Sequence, residues 1–312
     1  MKNNFSLSVV SPVYQAEKIV DELVRQINAS VSLLTNQYEI ILVEDGSPDN
    51  SWSKVVENCE KYSFVKGVKL SRNFGQHYAI SAGIDLADSD YVVVMDCDLQ
   101  DNPKYISQLL EKANEGNDIV YTYKEKRNHS MIKNLFASGF NFIFNFLMDN
   151  NGLHSNSSIG SYSLLSRKVV LAFRKVTEYQ RHYLMILRWL GFSSGYIKIE
   201  HQERFEGRSS YTFSKLINHA IQGITSQTDK LLRINIYVGF AIAFSSMIAG
   251  AFIVISYLVN GFQSGWASLI ITLFLSLGII LVSIGIVGLY IGKIFEQVKN
   301  RPMYIFEEKI NF

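Results

Sequence analysis

Residues 91–103, Tyr91-Val92-Val93-Val94-Met95-Asp96-Cys97-Asp98-Leu99-Gln100-Asp101-Asn102-Pro103, set the reading of the whole chain. The β-branched run Val92–Val94 has the composition of a buried central strand, and it stops in carboxylates. Asp96 and Asp98 stand two apart, so in extended backbone both leave the strand end on one side. Adjacent acids repel each other, which points to a cation between them. Gln100 adds a neutral oxygen at the next alternate position, and Asn102-Pro103 predicts the entry to a helix. Asp-x-Asp alone is often only a solvated turn. Its place directly after a buried strand, in an α/β chain, gives it functional weight.

Working outward, Leu7-Ser8-Val9-Val10 reads as a first strand ending in Ser11-Pro12-Val13-Tyr14. A helix follows over 17–34, with Ile19, Leu23, Ile27 and Leu34 near helical spacing. Tyr38–Val43 is a second strand, ending Glu44-Asp45-Gly46-Ser47-Pro48-Asp49, before a helix over 51–62. Val65–Leu70 is a third strand, Arg72-Asn73-Phe74-Gly75-Gln76 a turn, and 78–86 a helix. Ile119–Tyr123 reads as a fifth strand. Strands alternating with helices predict an α/β, Rossmann-like fold: a mostly parallel sheet with helices on both faces. Ligands of such sheets bind beyond the carboxyl ends of the strands. Polar clusters fall at three of those ends: Pro12 with Tyr14, Asp45, and Asp96 with Asp98. Neither Gly-x-Gly-x-x-Gly nor Gly-x-x-x-x-Gly-Lys-Ser/Thr occurs, which disfavours dinucleotide and P-loop readings. A diphosphate supported by a metal fits better, because Mg²⁺ commonly takes one or two carboxylates plus phosphate oxygens.

The chain has 312 residues, 48% of them hydrophobic, and the apolar ones are unevenly spread. From Ile234 to Gly292 there is no Asp, Glu, Lys or Arg. Asn260–Gly265 divides that region into runs of about 234–259 and 267–292, each beyond the roughly 20 residues that cross a bilayer. Arg233 precedes the first run, while Lys293, Lys299 and Arg301 follow the second. Positive flanks put both ends in the cytoplasm. A hairpin buried in a soluble core would need a far larger protein around it. The expected organisation is a catalytic domain over 1–211, a juxtamembrane amphipathic segment over 212–233, a two-helix transmembrane hairpin over 234–292 and a cytoplasmic tail over 293–312. No signal peptide opens the chain, and the two cysteines, Cys59 and Cys97, suit a reducing cytosol. A formal charge of +2 says little about nucleic acid, but no basic stripe is present and no nucleic-acid partner is expected.

The motifs Ser11–Tyr14, Glu44–Ser47, Arg72–Gln76 and Met95–Gln100 together resemble family 2 inverting glycosyltransferases of GT-A fold. Arg204-Phe205-Glu206-Gly207-Arg208-Ser209, the two apolar runs and Asn300-Arg301-Pro302 narrow the likeness to polyprenyl-phosphate glycosyltransferases. Among these are undecaprenyl-phosphate glucosyltransferase, the formamido-arabinose transferase and dolichol-phosphate mannose synthase. The resemblance implies sugar transfer from a nucleotide-sugar donor to a polyprenyl phosphate acceptor at the cytoplasmic face of the cell membrane. It implies that Asp96, Asp98 and Gln100 hold Mg²⁺ or Mn²⁺ against the diphosphate. Pro12, Tyr14, Glu17, Val43, Asp45 and Cys97 match the donor-binding region, joined by Lys124 and by Arg204 at the diphosphate. Lys124, Ser161 and Arg208 are matched to the acceptor phosphate. Relatives form homo-oligomers, often tetramers, and their products serve cell-envelope polysaccharides.

The chain departs from that pattern in places. Gly160-Ser161-Tyr162-Ser163 stands where many relatives have Gly-Asp-Phe-Arg. Lys124 replaces a common Arg, keeping charge but losing the bidentate fork, and Ser210 replaces a Lys. Ala16 replaces a Glu, with Glu17 adjacent. These changes read as altered specificity. Residues 131–148, rich in Phe after the basic Lys124, Lys126, Arg127 and His129, suit either an interfacial helix facing the bilayer or a helix packed inside the protein, and 212–232 suggests a juxtamembrane helix. His77, His154, His182, His201 and His219 lack metal-ligand spacing. Two rival readings are a processive polysaccharide synthase and a catalytically impaired nucleotide-sugar-binding subunit. Against the first, Arg188-Trp189 is present but Met185 occupies the Gln position of Gln-x-x-Arg-Trp.

Overall fold

Strand and helix alternate as the sequence implies, and the alternation builds one sheet clothed on both faces. The computed structural model describes residues 4–124, 159–179, 181–200, 230–260 and 265–312. In chain order these are β1 (Ser6–Val13), α1 (Val20–Val31), β2 (Gln37–Glu44), α2 (Ser51–Lys61), β3 (Val65–Leu70), α3 (Gln76–Leu86) and β4 (Tyr91–Val94). A 3₁₀ turn at Pro103–Tyr105 leads into α4 (Ile106–Asn114), then β5 (Ile119–Tyr123), β6 (Ile159–Ser166), α5 (Arg167–Arg174), α6 (Tyr183–Leu190) and β7 (Ser194–Lys198). Two long helices, α7 (Lys230–Asn260) and α8 (Trp266–Val298), precede β8 (Phe306–Ile310).

The sheet order is β7-β5-β6-β4-β1-β2-β3-β8. β4, β1, β2 and β3 run parallel, as do β5 and β7, while β6 and β8 run against their neighbours. The pleat sorts the core. Leu7, Val9, Ile40 and Leu42 pack with α1, α2 and α4, whereas Val10, Ile41 and Val43 pack with α3, α5 and α6. Gly83 lets α3 approach closely, because a Cβ there would stand 2.2 Å from Val10 Cγ1.

Two units divide the chain. One gathers Met1–Asn128, Asn156–Ser209 and Arg301–Phe312; the other gathers His129–Ser155 and Ser210–Asn300. In the second unit α7 and α8 are both long and apolar enough to cross a membrane. Their described side chains are mostly exposed, Phe240 at 72% and Leu258 at 76%, as expected where lipid is the solvent. Ser283 Oγ on α8 donates to Asn235 Oδ1 on α7 at 2.9 Å.

Residues 293–312, expected as a tail, are used differently. α8 continues to Val298, and β8 adds an antiparallel edge to β3. Its Phe306-Glu307-Glu308-Lys309-Ile310 lacks the apolar alternation that marks a half-buried strand, as befits an edge. β6 and β7 were also silent in the sequence reading. The expected helices over 131–148 and 212–232 fall largely outside the described residues.

Candidate active site at the strand ends

β1, β2, β3 and β4 end on one edge of the sheet, and the chain there forms four loops that interlock. Pro12 and Val43 are register partners near the ends of β1 and β2, both buried. Val43 packs its side chain into the α3 face of the core, so it can meet a ligand only through backbone. The loop after β1 is clamped to the loop after β2. Gln15 N–H donates to Ser47 Oγ at 3.1 Å and Ala16 N–H to Ser51 Oγ at 2.9 Å. Glu17 accepts from the Asn50 amide side chain at 3.2 Å. Tyr14 stands at the lip of this clamp, 44% exposed, its ring available to stack on a planar ligand.

Asp45 ties the β2 loop to the β3 loop. Its carboxylate is buried and accepts the backbone N–H groups of Phe74 at 2.7 Å and Gly75 at 2.8 Å. Burial pushes its pKa up, and those two amides oppose the shift. Gly46 sits at φ +61°, with a would-be Cβ 2.4 Å from Asn73 N, so only glycine lets the two loops touch.

The β4 loop carries the acids. The strand stops at Val94, and Cys97-Asp98 form a turn that ends at Leu99 with φ +58°. The extended geometry expected for Asp96 and Asp98 is therefore replaced by a tight turn. Asp98 Oδ1 closes that turn by accepting Gln100 N–H at 3.1 Å, the local bond that Asp side chains offer in turns. Leu99 buries its side chain in the core, which holds the unfavourable φ. Cys97 Sγ lies at the backbone N–H of Tyr14, and burial pushes its thiol up to about 12. It joins the β4 loop to the β1 loop as a neutral group.

Asp96 is the centre of the cluster. Its Oδ1 accepts from Gln76 Nε2 at 2.7 Å and from Ser161 Oγ at 2.9 Å. Burial raises its pKa to about 6, and repulsion from Asp101 and Asp98 adds to the rise. Asp101, 5% exposed, is paired with Lys124 at 2.9 Å. Sequence reading gave Asp101 no role. The signal was a third acid within six residues, but its partner at the end of β5 is visible only once the sheet order is known.

Among the described residues no three or more His, Cys, Asp or Glu side chains converge as an all-protein metal cage. The donor set nonetheless suits a divalent ion completed by phosphate oxygens, since Asp98 and Asp101 both crowd Asp96. Ser163, in the place of a common Arg, is fully buried and bonded to the Tyr183 hydroxyl at 2.7 Å and to the Ser161 carbonyl at 2.9 Å. The rings of His77 and His182, at the starts of α3 and α6, lie tilted at 41° with centroids 4.1 Å apart. Arg204, Arg208 and Ser210 lie outside the described residues.

The geometry agrees with the chain's relatives. Residues 8–172 match the glycosyl transferase family 2 model. The undecaprenyl-phosphate 4-deoxy-4-formamido-L-arabinose transferase of Shewanella sediminis is 32% identical over 99% of this chain and 94% of its own. The SfII prophage-derived bactoprenol glucosyl transferase of Shigella flexneri is 32% identical over 97% of each. The fold matches glucosyl-3-phosphoglycerate synthase from Mycobacterium tuberculosis, solved with Mn²⁺, UDP-glucose and phosphoglyceric acid. That match has a TM-score of 0.53 at 16% identity, covering 73% of this chain and 80% of that one. Interlocked strand-end loops, a crowded acidic turn and near full-length relatives lead to one conclusion: this chain is a glycosyltransferase, a member of glycosyl transferase family 2 with the GT-A fold.

Proposed function

We propose that the enzyme transfers a sugar from a nucleotide-sugar to a polyprenyl phosphate at the cytoplasmic face of the membrane, with inversion at the anomeric carbon and with help from a divalent cation. The observation that carries this reading is the crowding of Asp96 by Asp98 and Asp101 beside the Tyr14–Asp45 loops. The names of near full-length relatives, for undecaprenyl-phosphate or bactoprenol transfer, support the acceptor class.

In this reading Tyr14 stacks on the nucleoside base, and Glu17 and Asp45 hold the loops that frame it. Asp96, Asp98 and Gln100 would hold Mg²⁺ or Mn²⁺, which supplies neutralisation of the charge growing on the departing nucleoside diphosphate. Lys124 and Arg204 add positive charge for phosphate oxygens. The acceptor needs no dedicated base, because a phosphate monoester has a second pKa of about 6 and is already ionised in the cytosol. Its oxygen attacks the anomeric carbon from the side opposite the leaving diphosphate, so one displacement inverts the centre. α7 and α8 keep the enzyme at the bilayer that holds the lipid acceptor, and Arg233, Lys293, Lys299 and Arg301 favour cytoplasmic ends.

The purified protein with Mg²⁺ or Mn²⁺ should consume a nucleotide-sugar only when undecaprenyl or dolichyl phosphate is supplied. Asp98→Ala should lower turnover by about 10²-fold or more, the scale of several kcal/mol of lost charge stabilisation. Equal consumption without lipid phosphate, or undiminished turnover in Asp98→Ala, contradicts the reading.

A further inference from the structure

Asp96 receives its two side-chain hydrogen bonds on the same oxygen. Gln76 Nε2, from the first turn of α3, reaches Oδ1 at 2.7 Å, and Ser161 Oγ, from β6, reaches it at 2.9 Å. Among the described residues neither of these hydrogen bonds goes to Oδ2. Two donors from separate elements fix both the rotation of the carboxylate and which oxygen remains open. We infer that Gln76 is a positioning residue for the metal-binding carboxylate: together with Ser161 it saturates Oδ1 of Asp96 and presents Oδ2 alone to the cation. The inference rests on the metal reading above.

Gln76 is itself placed by the nucleoside side of the site. The residues before it, Phe74 and Gly75, have their N–H groups held by Asp45. Gly75 at φ +106° then turns the chain into α3. A side chain at 76 is thus carried on a loop fixed to the end of β2 and aimed at the end of β4. The chemistry of the amide also suits the place. A glutamate would add a further negative charge to a cluster that already raises the pKa of Asp96. A lysine would bring a competing positive charge to the cation's own ligand. A glutamine donates one hydrogen bond and changes no charge. Outer-shell hydrogen bonds of this kind commonly alter metal affinity by 10–100-fold.

The test titrates full-length protein in detergent with Mn²⁺, followed by electron paramagnetic resonance, with and without UDP as a probe. Gln76→Ala should bind Mn²⁺ about tenfold more weakly than wild type while remaining folded, as a cooperative melting transition checks. Gln76→Asn, polar but too short to reach Asp96, should behave alike and covers the case in which alanine disturbs α3. Each single variant leaves one donor on Oδ1, so the loss in Gln76→Ala/Ser161→Ala should exceed the product of the single losses. In turnover assays, extra Mn²⁺ should restore kcat of Gln76→Ala without changing KM for the donor at saturating metal. Mn²⁺ affinity in Gln76→Ala equal to or tighter than wild type overturns the inference alone. Wild-type protein that binds no Mn²⁺ overturns the metal reading and this inference together.

Discussion

Asp45 and Asp96 sit at the ends of parallel strands in one sheet, yet the protein treats the two carboxylates differently. Both are driven toward the protonated form by burial. At Asp45 two backbone amides oppose that drive, the smaller opposing effects of Glu44 and Arg72 come after them, and the carboxylate is a strut between the β2 and β3 loops. At Asp96 the neighbouring acids Asp101 and Asp98 reinforce it, and two neutral donors offset only part. A buried acid facing amides is a fastening. A buried acid facing other acids is under electrostatic repulsion, which in the proposed function a cation relieves.

The strongest challenge to that contrast is Asp96→Asn. Activity should fall by about 10³-fold or more, because under the proposed function the variant loses a charge directed at the metal and the leaving group. Stability should move the other way. In the metal-free enzyme the folded-state pKa of about 6 exceeds the ordinary aspartate value of 3.8. Between these values the folded chain holds a proton that the unfolded chain has lost, so stability falls as pH rises through the window. Above about 6 the penalty is complete. Asp96→Asn removes it, so the metal-free variant should melt above wild type at pH 7.5, and the gap should close as pH falls toward 4. Wild-type Mn²⁺ affinity should in turn weaken below pH 6, where a proton competes for the same carboxylate. A metal-free Asp96→Asn that melts below wild type at pH 7.5 breaks the comparison.

Asp45→Asn should give the opposite sign. An amide can offer one oxygen to Phe74 or Gly75 but turns its own N–H₂ toward the other N–H. One buried backbone donor then loses its partner, a cost of about 1–3 kcal/mol. The melting temperature should drop, and KM for the donor should rise several-fold as the loops loosen, with kcat at saturation changing less. Thermal melts beside a donor titration separate the two acids: one variant stabilised and inactive, the other destabilised and still turning over.

How much of this could be read without coordinates depends on how local each signal is. β1 to β5 and their helices announced themselves, because buried parallel strands are continuous β-branched runs bounded by turn residues, as in Val92–Val94 before Met95-Asp96. The acids, Tyr14 and Asp45 were found by the same logic, as polar groups at strand ends. β6 escaped because Ile159-Gly160-Ser161-Tyr162-Ser163 alternates small and polar residues within an otherwise unremarkable stretch. Ser161 entered only through a family likeness, and its bond to Asp96 depends on β6 lying beside β4, which no local pattern encodes. The pairing of Asp101 with Lys124 and the aim of Gln76 are likewise products of strand order. Chemistry carried by one loop was legible; chemistry assembled between loops was not.

A third carboxylate sets the lower bound of the comparison. Glu307 on β8 accepts from Lys69 on β3 at 2.9 Å, with its side chain 49% exposed. Lys69 gains from the pairing and its pKa rises, mainly through this hydrogen bond. Water solvates both partners, however, and holding two long side chains together costs entropy, so exposed pairs of this kind contribute about 0–1 kcal/mol. Glu307→Gln should therefore shift the melting temperature by no more than about 2 °C, and by less in 0.5 M salt, where the pair is already screened. Turnover should be unchanged. A larger loss would mean that β8 depends on this pair for docking against β3, rather than on its backbone ladder and on Trp52 Nε1 reaching Glu308 at 3.2 Å.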